Sequence, residues 1–289
     1  MIPPSFEYLR PKNIPEALAF LEQHGDDAKI LSGGQSLIPM MKLRLARPAF
    51  LIDINRIAGL SYIKEEGEFL KIGGLAREAD LESSSLIRTK YPLLFDTCAV
   101  IADPQVRNLA TVGGNLAHGD PANDHPATML ALGAQVVATG KKGERVIPVE
   151  DFFVSLFQTA LEQGEILTEI RIPAAQPRSS GAYFKVERKV GDFATAAVAA
   201  QVTLDDKGAI AKAGIALTNA GPTPIKAGKA EDFLRGKKPD AATIARAAQL
   251  AADDAQPSSD LRGPAEYKKG LIKELAQRAI TRAVERAGK

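Results

Sequence analysis

The sequence predicts an α+β protein in two parts, and three features of the chain point there. Short apolar runs of strand character interleave with helical periodicities up to about residue 172. Next comes Pro173 to Gly181, PAAQPRSSG, whose composition marks a linker. Beyond it, strand candidates come first and helices follow, so the sheet and helices of that part are segregated along the chain. The expected division is residues 1–175, with subdomains of about 1–60 and 61–175, followed by residues 179–289 as a three-stranded antiparallel sheet with helices.

Phe6 to Leu9 reads as a short strand. Asn13 can cap a helix running through Gln23, with Pro15 in its first turn and Gly25 at its end. Strands follow at Ala28 to Leu31 and Phe50 to Ile54. Tyr62 to Ile72, with Glu66-Gly67 between two alternating runs, is a hairpin signal. Helices are expected around Ala79 to Leu86, Pro92 to Ala102 and Pro126 to Leu132. Val136 to Thr139 and Arg145 to Pro148 pair about Lys141 to Gly143, and Ile166 to Ile172 is the last strand before the linker. After it, Ala182 to Arg188, Thr195 to Leu204 and Ala209 to Leu217 read as strands, although alanine propensity makes the run before Leu204 equally a helix. Helices at Glu231 to Leu234, Asp240 to Asp254 and Pro264 to Ala287 finish the chain. In the last, Tyr267, Leu271, Leu275 and Ala279 recur every four residues and mark a buried stripe.

Composition narrows the function classes. With 289 residues the chain can build real cores, and 45% hydrophobic with 25% charged residues is globular. A net charge of +2, from 37 basic and 35 acidic residues, argues against a nucleic-acid-binding domain. The one cysteine, Cys98, excludes an internal disulfide and cannot ligate an iron–sulfur cluster; in its apolar run it reads as a buried structural thiol. No apolar stretch reaches membrane-spanning length and no signal-peptide pattern opens the chain, so a cytoplasmic location is expected, with any membrane association peripheral, at the inner face and through partners.

Two glycine-rich stretches carry the chemistry. In AKILSGGQSLIPMMKLR an apolar strand leads into Ser32, Gly33, Gly34, Gln35 and Ser36, with Leu37 opening a short helix that Ser36 would cap. Strand, glycine pair and helix N-terminus is phosphate-binding grammar, because free N–H groups and the positive helix end face the loop. It is neither GxGxxG nor a P-loop. The second stretch is NLATVGGNLAHGDPANDHP, Asn108 to Pro126, a turn-rich run in which Gly113-Gly114 would allow positive φ and close approach of a ligand. Thr111 and Asn115 add side-chain donors, and Asp124 can accept from a hydroxyl-bearing group. Two such loops suit a dinucleotide with its pyrophosphate between them; a surface loop held by Asx turns is the bland alternative for the second.

LSGGQSLIPMMKLRLARP together with ADPQVRNLATVGGNLAHGDPANDHPA resembles the paired FAD loops of the flavin-carrying medium subunit of molybdenum hydroxylases, the xanthine dehydrogenase family, and most resembles its aerobic carbon monoxide dehydrogenase branch. The opening MIPPSFEYLRP, YFKVERKVGDFATAA and the tail RGPAEYKK extend the likeness over essentially the whole chain. The resemblance implies an FAD domain of the vanillyl-alcohol-oxidase (PCMH) type followed by a flavoprotein C-terminal domain. It implies that Ser32 to Ser36 cradle the pyrophosphate from one side and Thr111, Gly114 and Asn115 from the other, with Asn123 and Asp124 near the ribose and adenine half and Leu37 and His118 also binding the cofactor. Ile101, Leu167, Lys185 and Phe193 would line the flavin ring, Lys185 donating near its pyrimidine end; core packing explains Ile101, Leu167 and Phe193 as well. It further implies partners: a large subunit with the molybdenum cofactor and a small subunit with [2Fe–2S] clusters, as a dimer of heterotrimers. Electrons would leave to quinone, cytochrome or NAD. No catalytic residue and no metal ligand is expected in this chain.

Other chemistries fit less well. His118, Asp120, Asp124 and His125 match no common zinc spacing, no GxSxG elbow supports a hydrolase, and His24 reads as a solvated helix end. A purine or N-heterocycle hydroxylase subunit, a self-contained flavin reductase or oxidase, and a non-catalytic scaffold remain as alternatives.

Overall fold

A computed structural model of the chain describes all residues from 1 to 289. Strand β1 (Glu7–Leu9) leads into helix α1 (Ile14–His24), where Asn13 Oδ1 accepts from Glu16 N at 2.9 Å and Gly25, at φ 52°, ends the helix. His24 stacks on Phe50, ring centroids 3.7 Å apart, rather than standing free in solvent. Strand β2 (Ala28–Leu31), helix α2 (Leu37–Lys42) and strand β3 (Phe50–Asp53) complete a three-stranded parallel sheet with β3 in the middle.

The hairpin of β4 (Ile63–Glu66) and β5 (Phe69–Gly73) turns through Gly67 at φ 62°. Helices α3 (Glu78–Ser83) and α4 (Ser85–Lys90) replace the single helix expected there, because the Ser84 side chain accepts from Ile87 N and starts a new helix. Then come α5 (Pro92–Ala99), α6 (Pro104–Arg107), α7 (Val112–His118) and α8 (Asp124–Leu132). Strands β6 (Gln135–Gly140) and β7 (Gly143–Pro148), a small hairpin β8 (Phe153–Ser155) and β9 (Gln158–Thr159), and β10 (Ile166–Pro173) follow. The larger strands form one antiparallel sheet in the order β4-β5-β10-β6-β7.

Residues 174–178 connect β10 to β11 (Ser179–Val186), which pairs with β12 (Ala196–Leu204) and β13 (Ile210–Thr218). A two-residue strand, β14 (Ile225–Lys226), extends the three expected strands at one edge. Helices α9 (Gly228–Leu234), α10 (Ala241–Asp254) and α11 (Ala265–Ala287) close the chain.

The alanine run of β12 is a strand because both of its faces are covered. Ala197 and Ala199 join the core of the five-stranded unit, while Ala196, Val198, Ala200 and Val202 pack with residues of α10 and α11. Small side chains let the layers close on both sides, which intrinsic helix propensity cannot anticipate. At the same seam an ideal Cβ on Gly214 of β13 would lie 2.0 Å from the Ala131 carbonyl oxygen of α8, so only glycine fits there. Along α11 the buried positions are Lys268, Ile272, Leu275, Ala276, Ala279, Ile280, Ala283 and Ala287, whereas Tyr267 is 50% exposed. A strict four-residue step overruns the 3.6-residue turn and drifts off the buried face, so the expected stripe holds only at its later positions.

The sharpest departure from the sequence reading concerns Asn108 to Pro126. Most of it is helical, and neither Gly113 nor Gly114 has positive φ. Gly113 is required by proximity instead: its ideal Cβ would sit 2.5 Å from the carbonyl oxygen of Gly74, against which α7 packs.

Candidate functional site

Loop 32–36 and the start of α7, 79 residues apart in sequence, lie against each other. Ser32 Oγ is 3.1 Å from Thr111 Oγ1, and an ideal Cβ on Gly33 would lie 2.6 Å from Leu109 O and 3.0 Å from Thr111 N. Gly34 takes φ 74°, which glycine alone adopts without strain. The N–H groups of Gly33, Gly34, Gln35 and Ser36 donate to no other group of the chain, and neither does that of Gly113. Successive unpaired amides at a loop and at a helix start make an anion-binding concavity. Leu37 is the first residue of α2, but the Ser36 side chain does not cap it, which leaves that hydroxyl free. Thr111, by contrast, is the N-cap of α7, accepting from Gly114 N at 3.1 Å.

Two residues that sequence reasoning missed hold the loops together. Asn55 Nδ2 donates to Ser32 O at 2.7 Å, and the Arg77 guanidinium bridges Asn55 Oδ1, at 2.6 Å, and Leu109 O. Both act on backbone carbonyls, which leave no mark in a motif. The Asn-Arg pair could be found only from the fold.

The end of α7 and the start of α8 form the next wall. Asn123 Nδ2 donates to Asn115 O at 2.9 Å, so Asn123 serves the turn between the helices, and Asn115 Oδ1 is buried without a partner. His118 packs on Phe157, centroids 5.2 Å apart, and burial lowers its pKa. His125 points the other way, into the core, where its Nε2 is 2.7 Å from Glu78 Oε2 and both side chains are fully buried near Cys98. Burial first, and then Glu78 and Glu82, push the Cys98 thiol up, consistent with an inert structural cysteine. His125→Ala should cost about 3–5 kcal/mol by leaving Glu78 buried and unpartnered. Truncating the exposed Lys141–Glu22 pair should cost about 0–1 kcal/mol. Denaturant midpoints for the two variants check the contrast, and equal losses would refute it.

The third wall joins α5, α8 and β11. Lys185 Nζ donates to Asp124 Oδ2 at 2.9 Å and to Val100 O at 3.1 Å, and Asp124 Oδ1 accepts from Tyr183 OH at 2.7 Å. Burial pushes the Asp124 carboxyl above its usual range, and Lys185 and Tyr183 offset this only in part. The pairing sets Asp124 and Lys185, expected near the ribose-adenine half and near the flavin ring, side by side. Ile101 does not ride on α5, which stops at Ala99; it is buried in the turn after it, where Arg107 Nη1 donates to its carbonyl at 2.9 Å. The loop carrying Phe193 packs on that turn, with an ideal Gly191 Cβ 3.2 Å from Ala102 O. Phe193 itself is exposed and lies under the Arg262 guanidinium, 5.9 Å from its ring. Leu167 is buried in the core, and its carbonyl lies against Gly74 on the layer that supports α7. The structure thus brings Ser32 to Leu37, Thr111, Gly114 and Asn115 into one cradle. Asp124, Lys185 and the turn at Ile101 form a neighbouring cluster.

Residues 4–175 match the family model described as the FAD binding domain in molybdopterin dehydrogenase, and residues 181–283 match that of the CO dehydrogenase flavoprotein C-terminal domain. The chain belongs to the molybdopterin dehydrogenase flavoprotein family. The medium chain of carbon monoxide dehydrogenase from Hydrogenophaga pseudoflava is 45% identical to it over 283 residues, 98% of each chain. Subunit alpha of the 6-hydroxypseudooxynicotine dehydrogenase complex from Paenarthrobacter nicotinovorans is 38% identical over 287 residues, 99% of this chain and 97% of that one. In structure, a chain of the Hydrogenophaga pseudoflava carbon monoxide dehydrogenase lacking the Mo-pyranopterin moiety superposes with TM-score 0.96 at 46% identity, covering 99% of both chains. Membership in this flavoprotein family fixes FAD as the group the domain is built for, and the cradle fits it: free amides, a buried unpartnered Asn115 Oδ1 and glycines where a Cβ would fill the gap. The α+β architecture expected from the sequence stands, and no helix is long and apolar enough to cross a membrane.

Proposed function

We propose that this chain is the electron-transferring FAD subunit of a molybdenum hydroxylase complex of the carbon monoxide dehydrogenase type. It would take electrons from [2Fe–2S] clusters on a small subunit and pass them to an external acceptor, quinone, cytochrome or NAD. The observation that carries this reading is the run of four unpaired amides, Gly33 to Ser36, facing the Thr111-capped start of α7. Bound there, FAD supplies an exchange of one or two electrons between cluster and acceptor.

The chain's own residues bind and orient. Loop 32–36 and Gly113 offer N–H groups to the pyrophosphate, Ser36 and Asn115 offer side-chain partners, and Gly114 leaves the space open. Asp124, Lys185 and the turn at Ile101 take the ring end, Phe193 closes over it, and Leu167 supports the layer beneath. His118 and Asn123 fix the α7–α8 turn beside the cradle. Cys98, alone and fully buried, can hold no cluster, so the clusters of this reading lie on another polypeptide.

Oxidation of carbon monoxide would take place at molybdenum on a large subunit, within a dimer of heterotrimers at the cytoplasmic face of the membrane. The 38% identity to a subunit of 6-hydroxypseudooxynicotine dehydrogenase supports a second reading, an N-heterocycle hydroxylase, with the same role for this chain. The isolated chain should purify yellow with one FAD each; a colourless chain that takes up no added FAD would contradict the assignment.

A further inference from the structure

Lys185 is held between two carboxylates. Beside Asp124 Oδ2 at 2.9 Å stands Glu187 Oε2, 3.3 Å from Nζ and on the far side of the intervening Val186. The Lys185 side chain is 3% exposed, and those of Asp124 and Glu187 are 7% and 20% exposed, so little water screens the group. Glu187 is also the joint of the neighbouring loop. Its Oε1 accepts from Gly191 N at 3.3 Å, and Gly191 packs on Ala102, next to Ile101. Its Oε2 is buried and makes no hydrogen bond, so only the charge of Lys185 engages it.

From this placement we infer that Glu187 is a positioning residue for the flavin: it holds Lys185 and the 187–193 loop, and its charge tempers the ammonium felt by the ring. The inference rests on the FAD assignment proposed above. A cation beside an electron acceptor favours reduction, and a second carboxylate on that cation opposes it. Tyr183 and Thr218 are neutral hydroxyls linked at 3.0 Å, so the charges that touch Lys185 are those of Asp124 and Glu187, while Arg107 on the turn at Ile101 is paired with Glu82. One ammonium between two carboxylates gives the ring a weaker positive neighbour than a simple pair would.

The test is a redox titration of purified FAD-loaded chain carrying Glu187→Gln or Glu187→Asp. Glu187→Gln should keep its FAD and favour the reduced flavin at least tenfold, which for a two-electron couple is about 30 mV more positive. Glu187→Asp keeps the charge and should stay close to the parent potential. A merely structural residue would move the melting temperature in both variants and the potential in neither. An unchanged potential in Glu187→Gln, loss of its FAD, or an equal shift in Glu187→Asp would overturn the inference. If the unaltered chain itself binds no FAD, the assignment beneath the inference fails instead.

Discussion

Gly114→Val should purify folded and colourless. Gly114 has ordinary helical φ, so its backbone tolerates a side chain. The obstacle lies in front of it, since an ideal Cβ would stand 2.7 Å from Thr111 Oγ1 and 2.8 Å from Ser32 Oγ, the two hydroxyls that join the loops. Those are side-chain atoms and can turn away, so the fold survives while a branched side chain fills the gap meant for the pyrophosphate. Gly34→Val should also lose FAD, by a different route: φ 74° strains any β-branched residue, and the Cβ would meet Ile38 Cδ1 at 2.8 Å. Gly113→Ala is the contrasting case. Its Cβ would meet the backbone of Gly74 at 2.5 Å, with nothing free to rotate, so the expected loss is folding itself. The ratio of flavin to protein absorbance, read with circular dichroism, separates the three. Stoichiometric FAD in folded Gly114→Val would remove that gap from the site.

Much of this was legible where the signal is local. Asn13, Pro15 and Gly25 spell out α1, and Glu66-Gly67 sets the first hairpin, because caps and turns are made by neighbours in sequence. Ala28 to Leu37 follows the expected order of strand, loop and helix start for the same reason, although the Ser36 side chain makes no cap. Gly113 and Gly114 depart from expectation. Their requirement comes from Gly74, Ser32 and Thr111 pressing close in space, and not from the positive φ expected of them. The ion pair of Asp124 with Lys185 joins residues 61 apart and was invisible for the same cause. Asn55, Arg77 and Arg107 tie loops through carbonyl oxygens, a role that any polar residue type could signal and none does uniquely. The short hairpin β8–β9 and strand β14 escaped because two or three residues carry no periodicity.

On the reading proposed above, this chain carries electrons and leaves substrate oxidation to its partners. In keeping with that reading, Asp124, Lys185 and Glu187 are committed to one another and the one cysteine is fully buried. The direct measurement is anaerobic flavin bleaching at the visible flavin band, with the isolated chain and then with large and small subunits added. A chemical reductant should bleach the isolated chain, carbon monoxide and N-heterocycles should leave it yellow, and substrate should bleach it once both partners are present. Substrate-driven bleaching of the isolated chain would contradict that reading and make this protein an enzyme in its own right.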